Sequence, residues 1–378
     1  MASSTIDIRD QESPDGRFYA FTRIVVGLVA LGATGRYAIK ATTYEDTGFE
    51  PWHAGAMLVW ALLAVAVVLG WRARLAAVGA MLTGAVMVTT GAEFFNNNHM
   101  YLATVCMGLV AFSDCERSYA IRPRAGLPDV WPRWMMRIQL SVVYGYAGLQ
   151  KVNSEFLSGD ALDAYMSMAI GPLAPAAHAL SGTALVQPMA YSVVMVELAM
   201  ALLVWSKRTR TVAFAVALPL HIAMLLVAYN GIELYGIVLF AILTFTLLSA
   251  WVDVAPGARL VVWDDTCSFC KRFAGALQRV DAWSSLRWQG SSTPAAYAGT
   301  GITPETASEA IQLVEPDGRV RSGFDAVTGI LAVLPGGFLI APWLALPPVA
   351  RLGEKAYRRV AARRTCASED EAPQARAA

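Results

Sequence analysis

Charge is what this chain has too little of. Only 16% of its 378 residues are charged, where a soluble protein of this length carries about 25%. The shortage is uneven. Residues 18–250 are almost continuously apolar, whereas 257–378 have the mixture of an ordinary water-soluble domain. Cysteine is scarce as well. Cys106, Cys115, Cys267, Cys270 and Cys366 are odd in number and include only one close pair, which excludes the disulfide framework of a small secreted protein. Basic residues barely outnumber acidic ones, 30 to 29, so no charge excess points to nucleic acid. The first apolar run lacks a small-residue cleavage pattern and reads as retained. No internal repeat is present.

What is there instead is a series of apolar runs. One bilayer crossing takes about 20 mostly apolar residues, and about eight runs approach that length. They cover 18–38, 54–71, 74–93, 99–115, 132–150, 188–206, 210–229 and 233–251. Arg72 and Arg74 follow the second run, Arg117, Arg122, Arg124 and Arg133 the fourth, and Lys207, Arg208 and Arg210 the sixth. The alternate connections hold only Lys40 and Lys151 among basic residues, with several acids. The positive-inside rule then puts both termini in the cytoplasm. The expected architecture is a cytoplasmic segment 1–17 and a polytopic all-α membrane domain over 18–251. A linker, a small α/β thioredoxin-like domain over 257–365 and a disordered tail over 366–378 complete it.

This topology gathers polar residues on the outer side: His53, His99, His178, His221, Asn96, Asn97, Asn98, Lys151 and Glu233, with Glu197 near the middle of the sixth run. Ionisable groups at membrane depth are costly and are normally paired or functional. An outward-opening pocket is therefore expected, with Lys151 and His99 among its polar groups. Asn97, Asn98, Tyr101, Tyr146, Glu197, His221 and Glu233 are its candidate lining. Gly145, Ala147 and Gly148 leave room for a neighbouring helix beside Lys151. Plainer readings stand beside these. Lys151 is also placed as an interfacial anchor, His99 as a satisfied loop cap, and His221 as a packing partner of Glu197 or Glu233. His53 and His178 read as ordinary polar loop residues.

In the soluble part, 259–263 reads as a strand, 264–270 as a turn into a helix over 268–280, and 286–289 as a second strand. Two further strands, 311–314 and 319–322, flank the hairpin signal Glu-Pro-Asp-Gly, and helices are expected over 324–334 and 350–363. Cys267 and Cys270 sit at the first strand-to-helix transition. Free N–H groups at a helix start stabilise a thiolate on the first cysteine, and the second can resolve a mixed disulfide. A zinc site would need two more ligands, but the domain has no histidine and only Cys366 besides. A redox-active disulfide is expected, and no metal.

The stretch Val262-Trp-Asp-Asp-Thr-Cys-Ser-Phe-Cys270 resembles the DCC family of thiol-disulfide oxidoreductase-like proteins, with Asp264, Cys267, Phe269 and Cys270 matching its signature. Pro316-Asp-Gly-Arg-Val320, Gly323-Phe-Asp325 and the basic Tyr357-Arg-Arg and Arg363-Arg extend the likeness. It implies a dithiol that exchanges electrons with a cytosolic thiol reductant or dithiol protein. Asp265, Thr266 and Ser268 depart from the family's residues. Ser268 lies between the cysteines, so the direction of electron flow stays open. Pro304 is a candidate for the proline that faces a thioredoxin dithiol.

Asn97-Asn-His99-Met-Tyr101-Leu, and Ala147-Gly-Leu-Gln-Lys151-Val with Phe156 and Gly159, resemble the vitamin K-dependent γ-glutamyl carboxylase and its bacterial HTTM relatives over roughly 15–250. The resemblance implies Lys151 as the base and His99 as an active-site histidine, with a quinone/hydroquinone as cofactor. In that family a neutral amine deprotonates the hydroquinone in a dry, lipid-connected pocket, and Asn98 would fix a carbonyl or oxyanion. The carboxylase's large peptide-binding lumenal region has no counterpart here, so carboxylation of glutamates is not implied. The leading expectation is an integral oxidoreductase of a bacterial membrane. It pairs quinol chemistry at an outward Lys/His pocket with a cytosolic CxxC dithiol. The alternatives are a maturation or export factor for a small peptide or natural product, and a non-enzymatic lipid-binding scaffold. The two sites fall on opposite membrane faces, so they would need a mobile carrier to communicate.

Overall fold

A computed structural model describes residues 16–43, 50–90, 97–124, 131–227, 231–252 and 257–363, without the side chains of 40–43 and 231–233. Asn96, Cys366, most of the segment 1–17, the tail from 366 and the Glu233 side chain lie outside the described residues. The chain divides into two compact units, Met1–Trp251 and Val252–Ala378.

The first unit is helical. Its elements are α1 (Gly16–Thr43), α2 (Pro51–Leu69), α3 (Ala73–Thr90), α4 (Asn98–Phe112) and α5 (Trp131–Gln150). Three short helices follow, α6 (Ser154–Leu157), α7 (Asp160–Ser167) and α8 (Ala174–Leu180), and then α9 (Val186–Leu203), α10 (Arg210–Leu226) and α11 (Gly231–Ser249). Every expected run falls on a helix. Four of these helices, at Gly16–Ile39, Pro51–Leu69, Ala73–Thr90 and Val186–Leu203, are long and apolar enough to cross a membrane. α4, α10 and the Leu234–Ser249 part of α11 are apolar but shorter. At 15 residues and about 1.5 Å of rise each, α4 falls short of a hydrocarbon core about 30 Å thick. Among the described residues four helices thus meet the length and composition of a span, and the expected count of about eight is not confirmed.

The bundle is built for lipid. Leu58 and Leu62 on α2 and Leu75 and Leu82 on α3 are all more than half exposed, an outward apolar surface that suits hydrocarbon. Ala64, Ala73, Ala77 and Ala80 are fully buried between the helices, as small residues are where backbones approach closely. Arginines close the helix ends. Arg23 donates to Val67 O and Val68 O at the end of α2. The Nε of Arg133 and of Arg137 each donates to Ala250 O at 2.8 Å, and Arg210 Nη1 donates to Trp251 O at 3.1 Å. These cations satisfy carbonyls that a helix end leaves without partners, and their charge suits the negative end of its dipole.

The second unit is α/β. It runs β1 (Arg259–Trp263), α12 (Ser268–Val280), β2 (Leu286–Gly290), a 3-10 turn, α13 (Pro304–Glu309), β3 (Gln312–Val314), β4 (Val320–Ser322), α14 (Gly323–Leu331), α15 (Gly337–Leu344) and α16 (Pro347–Ala362). The sheet order is β2-β1-β3-β4. β1 is parallel to β2 through the α12 crossover, while β3 runs antiparallel to both β1 and β4. This is the thioredoxin-like order read from the sequence. Leu260, Val261 and Val262 of the central strand are buried because β1 is covered on both faces. The helix expected over 324–334 ends at Leu331, and α15 starts after Gly336, whose φ of 73° breaks the helical path.

Candidate functional site

In the membrane unit the site begins with a close helix approach. Gly148 on α5 faces Leu198 on α9, where an added methyl would stand 2.8 Å from the leucine side chain, and Gly145 faces Ala201. That approach sets Lys151, one residue past α5, against Glu197 of α9. Lys151 Nζ donates to Glu197 Oε1 at 2.9 Å and Oε2 at 2.8 Å, and to Ala147 O at 3.2 Å. The Phe156 ring lies 5.9 Å from the ammonium, a cation–π distance. Lys151 is thus a paired, partly buried cation and not a side chain reaching for water. A base needs a lone pair, which this amine offers only after its proton passes to Glu197 or the pair opens.

His221 does not share that pair. Its Nδ1 donates to Ala217 O at 2.9 Å and its Nε2 meets Thr244 Oγ1 at 3.1 Å. The carbonyl only accepts, so in the neutral ring Nε2 is the acceptor from the threonine. Tyr144 neighbours both groups. Its ring is edge-on to His221 at 6.3 Å, Glu197 lies within its electrostatic reach, and its buried hydroxyl has no hydrogen-bond partner among the described residues.

His99 belongs to a second cluster. Its Nε2 is 3.4 Å from Tyr37 OH, with the two rings stacked. Asn97 Nδ2 donates to the same hydroxyl, while Asn97 Oδ1 caps α4 by accepting from Met100 N at 3.0 Å. The buried Arg36 lies over the Tyr37 ring. Gly236 of α11 gives both room, since a Cβ there would stand 3.1 Å from Arg36 Nε and His99 Cε1. One stripe of α11 touches both clusters. Gly236 meets His99, and Phe240 and Thr244, four and eight positions on, meet His221. Arg36 and Tyr37 escaped the sequence reading, although an arginine inside an apolar run was a usable signal.

The remaining residues spread out. Tyr101 and Tyr146 are mostly exposed, and Tyr146 OH accepts from Gln150. Asn98 is exposed at the start of α4. His53 is buried, accepting from Glu50 N as part of the α2 cap, whereas His178 is exposed. Glu233 belongs to α11 by its backbone.

The dithiol site is local. Cys267 is the N-cap residue of α12 and is 1% exposed, while Cys270, one turn on, is partly exposed. Asp264 is buried, and its Oδ1 accepts from Thr266 N at 3.0 Å, Thr266 Oγ1 at 2.6 Å and Cys267 N at 3.3 Å. A carboxylate oxygen of Asp264 and both sulfurs lie within 4.8 Å of one another, with no disulfide joining the sulfurs. Among the described residues this is the one His/Cys/Asp/Glu group able to hold a metal ion. Zinc commonly takes four such ligands, and a carboxylate beside two thiols equally serves proton exchange. The sequence reading had the first cysteine as the attacking thiol, whereas the second is the accessible one. Next door, Asp265 accepts from Ser292 N at 3.0 Å, from Ser292 Oγ and from Ser291 Oγ at 3.2 Å. Burial alone would raise its pKa, but the bonds from Ser292 and Ser291 outweigh burial and hold the carboxyl below its usual range. Pro304 opens α13 behind its Thr303 cap.

Two family models match the chain, an HTTM domain over residues 48–251 and a DCC1-like thiol-disulfide oxidoreductase over 261–369. No curated protein and no solved structure matches it.

Proposed function

The chain belongs to the HTTM family, carries a DCC1-like thiol-disulfide oxidoreductase domain and is a membrane redox protein; from that premise we propose two linked activities. The Cys267/Cys270 dithiol exchanges electrons with a thiol or dithiol protein in the cytoplasm, and the Lys151 centre acts on a lipid quinol. The reading places both termini in the cytoplasm of a bacterial cell. The observation that carries it is the trio of Asp264, Cys267 and Cys270 within 4.8 Å.

The roles follow from burial. Cys270 is accessible and takes the mixed disulfide with the partner. Cys267 then attacks Cys270 Sγ, an S–S bond forms within the motif, and the partner leaves as a thiol. Asp264 receives the proton that Cys267 sheds, and the start of α12 stabilises the thiolate.

In the membrane unit the residues present suit a quinol. Tyr144 offers a buried, unpartnered hydroxyl as a donor to an oxygen, and Glu197 is the acceptor through which the Lys151 amine can lose its proton. A quinol supplies two electrons and two protons. His99, held by Tyr37, orients from the second cluster.

Purified full-length protein tests both halves. Cys270→Ser is expected to abolish exchange with a small disulfide and Lys151→Ala to leave it intact. Lys151→Ala is also expected to stop quinol-dependent O₂ uptake, and unchanged uptake would end the quinol assignment.

A further inference from the structure

A cavity of about 330 Å³ opens beside the dithiol, within the ~300–1,000 Å³ range of small-molecule sites. Phe269 and Phe273 of α12, Phe324 of α14, Trp263 of β1 and Val360 of α16 line it, and Cys270 and Asp264 reach its wall. The Phe269 and Phe273 rings are parallel to within 3°, at 6.4 Å between centroids. They remain 42% and 37% exposed. Two aromatic faces left to water beside a partly exposed thiol are apolar surface that a ligand would cover.

The reaction partner must match both the wall and the thiols. A peptide disulfide brings backbone N–H and C=O groups that aromatic walls cannot satisfy. An anionic thiol compound would meet no opposite charge there, since the one ionic group at the wall among the described residues is the Asp264 carboxylate. A flat, uncharged acceptor of two electrons and two protons meets both conditions. We propose that this cavity binds the ring of a para-quinone and that the dithiol reduces it to the hydroquinone.

The step balances. Cys270 Sγ bonds to a ring carbon, and the displaced electron pair moves to a ring oxygen, which takes one proton. Cys267 Sγ then attacks Cys270 Sγ. The S–S bond forms, the C–S bond breaks, and its electron pair passes through the ring to the second oxygen, which takes the second proton. The two thiol protons end on the two ring oxygens, with Asp264 relaying that of Cys267. The dithiol is oxidised to a disulfide and the quinone is reduced. This inference rests on the dithiol reading above and extends it, because it puts quinone reduction in the α/β unit and not at Lys151.

The test uses full-length protein, pre-reduced and kept anaerobic, with tetramethyl-para-benzoquinone as the probe. Every ring carbon of that probe is substituted, so bystander thiols are not arylated. Hydroquinone absorbance and thiol loss are followed together, and hydroxyethyl disulfide serves as a small polar control. Val360→Trp fills the cavity and leaves both cysteines in place. It should slow quinone reduction about tenfold or more while the control reaction stays within about twofold. Phe273→Glu, which puts a carboxylate in the cavity, should do the same and stands in if Val360→Trp does not fold. Quinone reduction at the wild-type rate in these variants, or an equal fall in both reactions, overturns the proposal. Wild-type protein that reduces the disulfide but not the quinone sinks this inference alone. Wild-type protein that reduces neither sinks the dithiol reading itself.

Discussion

Glu197 in the membrane unit and Asp264 in the α/β unit are both buried carboxylates, one beside a lysine and one beside two thiols, yet they are held by opposite means. Asp264 is satisfied by N–H and O–H groups of Thr266 and Cys267, within three residues of itself. Glu197 is satisfied by Lys151, 46 positions away and just past the end of another helix. The first arrangement forms with a single turn of chain. The second exists only after α5 and α9 have packed through Gly148. A local site survives changes in packing that a long-range pair does not.

Asp264 offers the largest effect with which to break that comparison. Asp264→Asn keeps an oxygen for the turn but removes the proton acceptor, so disulfide exchange should fall about a hundredfold at neutral pH. Asp264→Ala should lose the turn as well, and stopped-flow exchange together with thermal unfolding separates the two. A rate near wild type in Asp264→Asn would assign Asp264 to the turn alone.

Glu197→Gln strands the Lys151 ammonium. Breaking a buried pair costs about 3–5 kcal/mol, and because Lys151 keeps 30% of its side chain exposed the expected loss is nearer about 2 kcal/mol. The double variant Glu197→Gln/Lys151→Met should recover most of it in thermal unfolding in detergent. Recovery of none would show that the two side chains do not act as a pair.

Asp265 sharpens the local half with a smaller effect. Its folded pKa is depressed, so its contribution is present above the unfolded value of about 3.9 and is lost as pH falls through the lower folded value. Asp265→Asn should therefore weaken hydrogen-exchange protection of β1 and β2 at pH ~7, by under about 1 kcal/mol. The gap from wild type should close below pH ~4, and a gap that widens in acid would refute the assignment. The smallest effect belongs to Tyr144→Phe, which removes a buried hydroxyl that has no partner. It should change stability by no more than about 0.5 kcal/mol, so a loss of quinol-dependent activity would mark the hydroxyl as functional.

The features legible in the sequence share one property. Helical runs, the Cys267/Cys270 turn, the Asn97 motif and the strand order each depend on neighbours along the chain. Lys151 and His99 were legible as unusual residues, but their partners were not. Glu197 was placed mid-helix in the same pocket as Lys151, but not as its ion-pair partner. His221 was offered to Glu197 or Glu233; its ring nitrogens meet Ala217 O and Thr244 Oγ1, and the Glu233 side chain lies outside the described residues. Arg36 and Tyr37 were passed over because nothing near them in the chain names His99.

By itself the sequence determined that this chain enters a membrane, that it ends in a thioredoxin-like unit and that two cysteines open a helix there, because hydropathy, periodicity and turn chemistry act over a few residues. The tertiary structure alone decided that Cys267 is buried and Cys270 accessible, that Lys151 is held by Glu197 and that His99 is set against Tyr37. Burial and pairing between distant residues follow from which helix faces meet, and that is settled only when the chain packs.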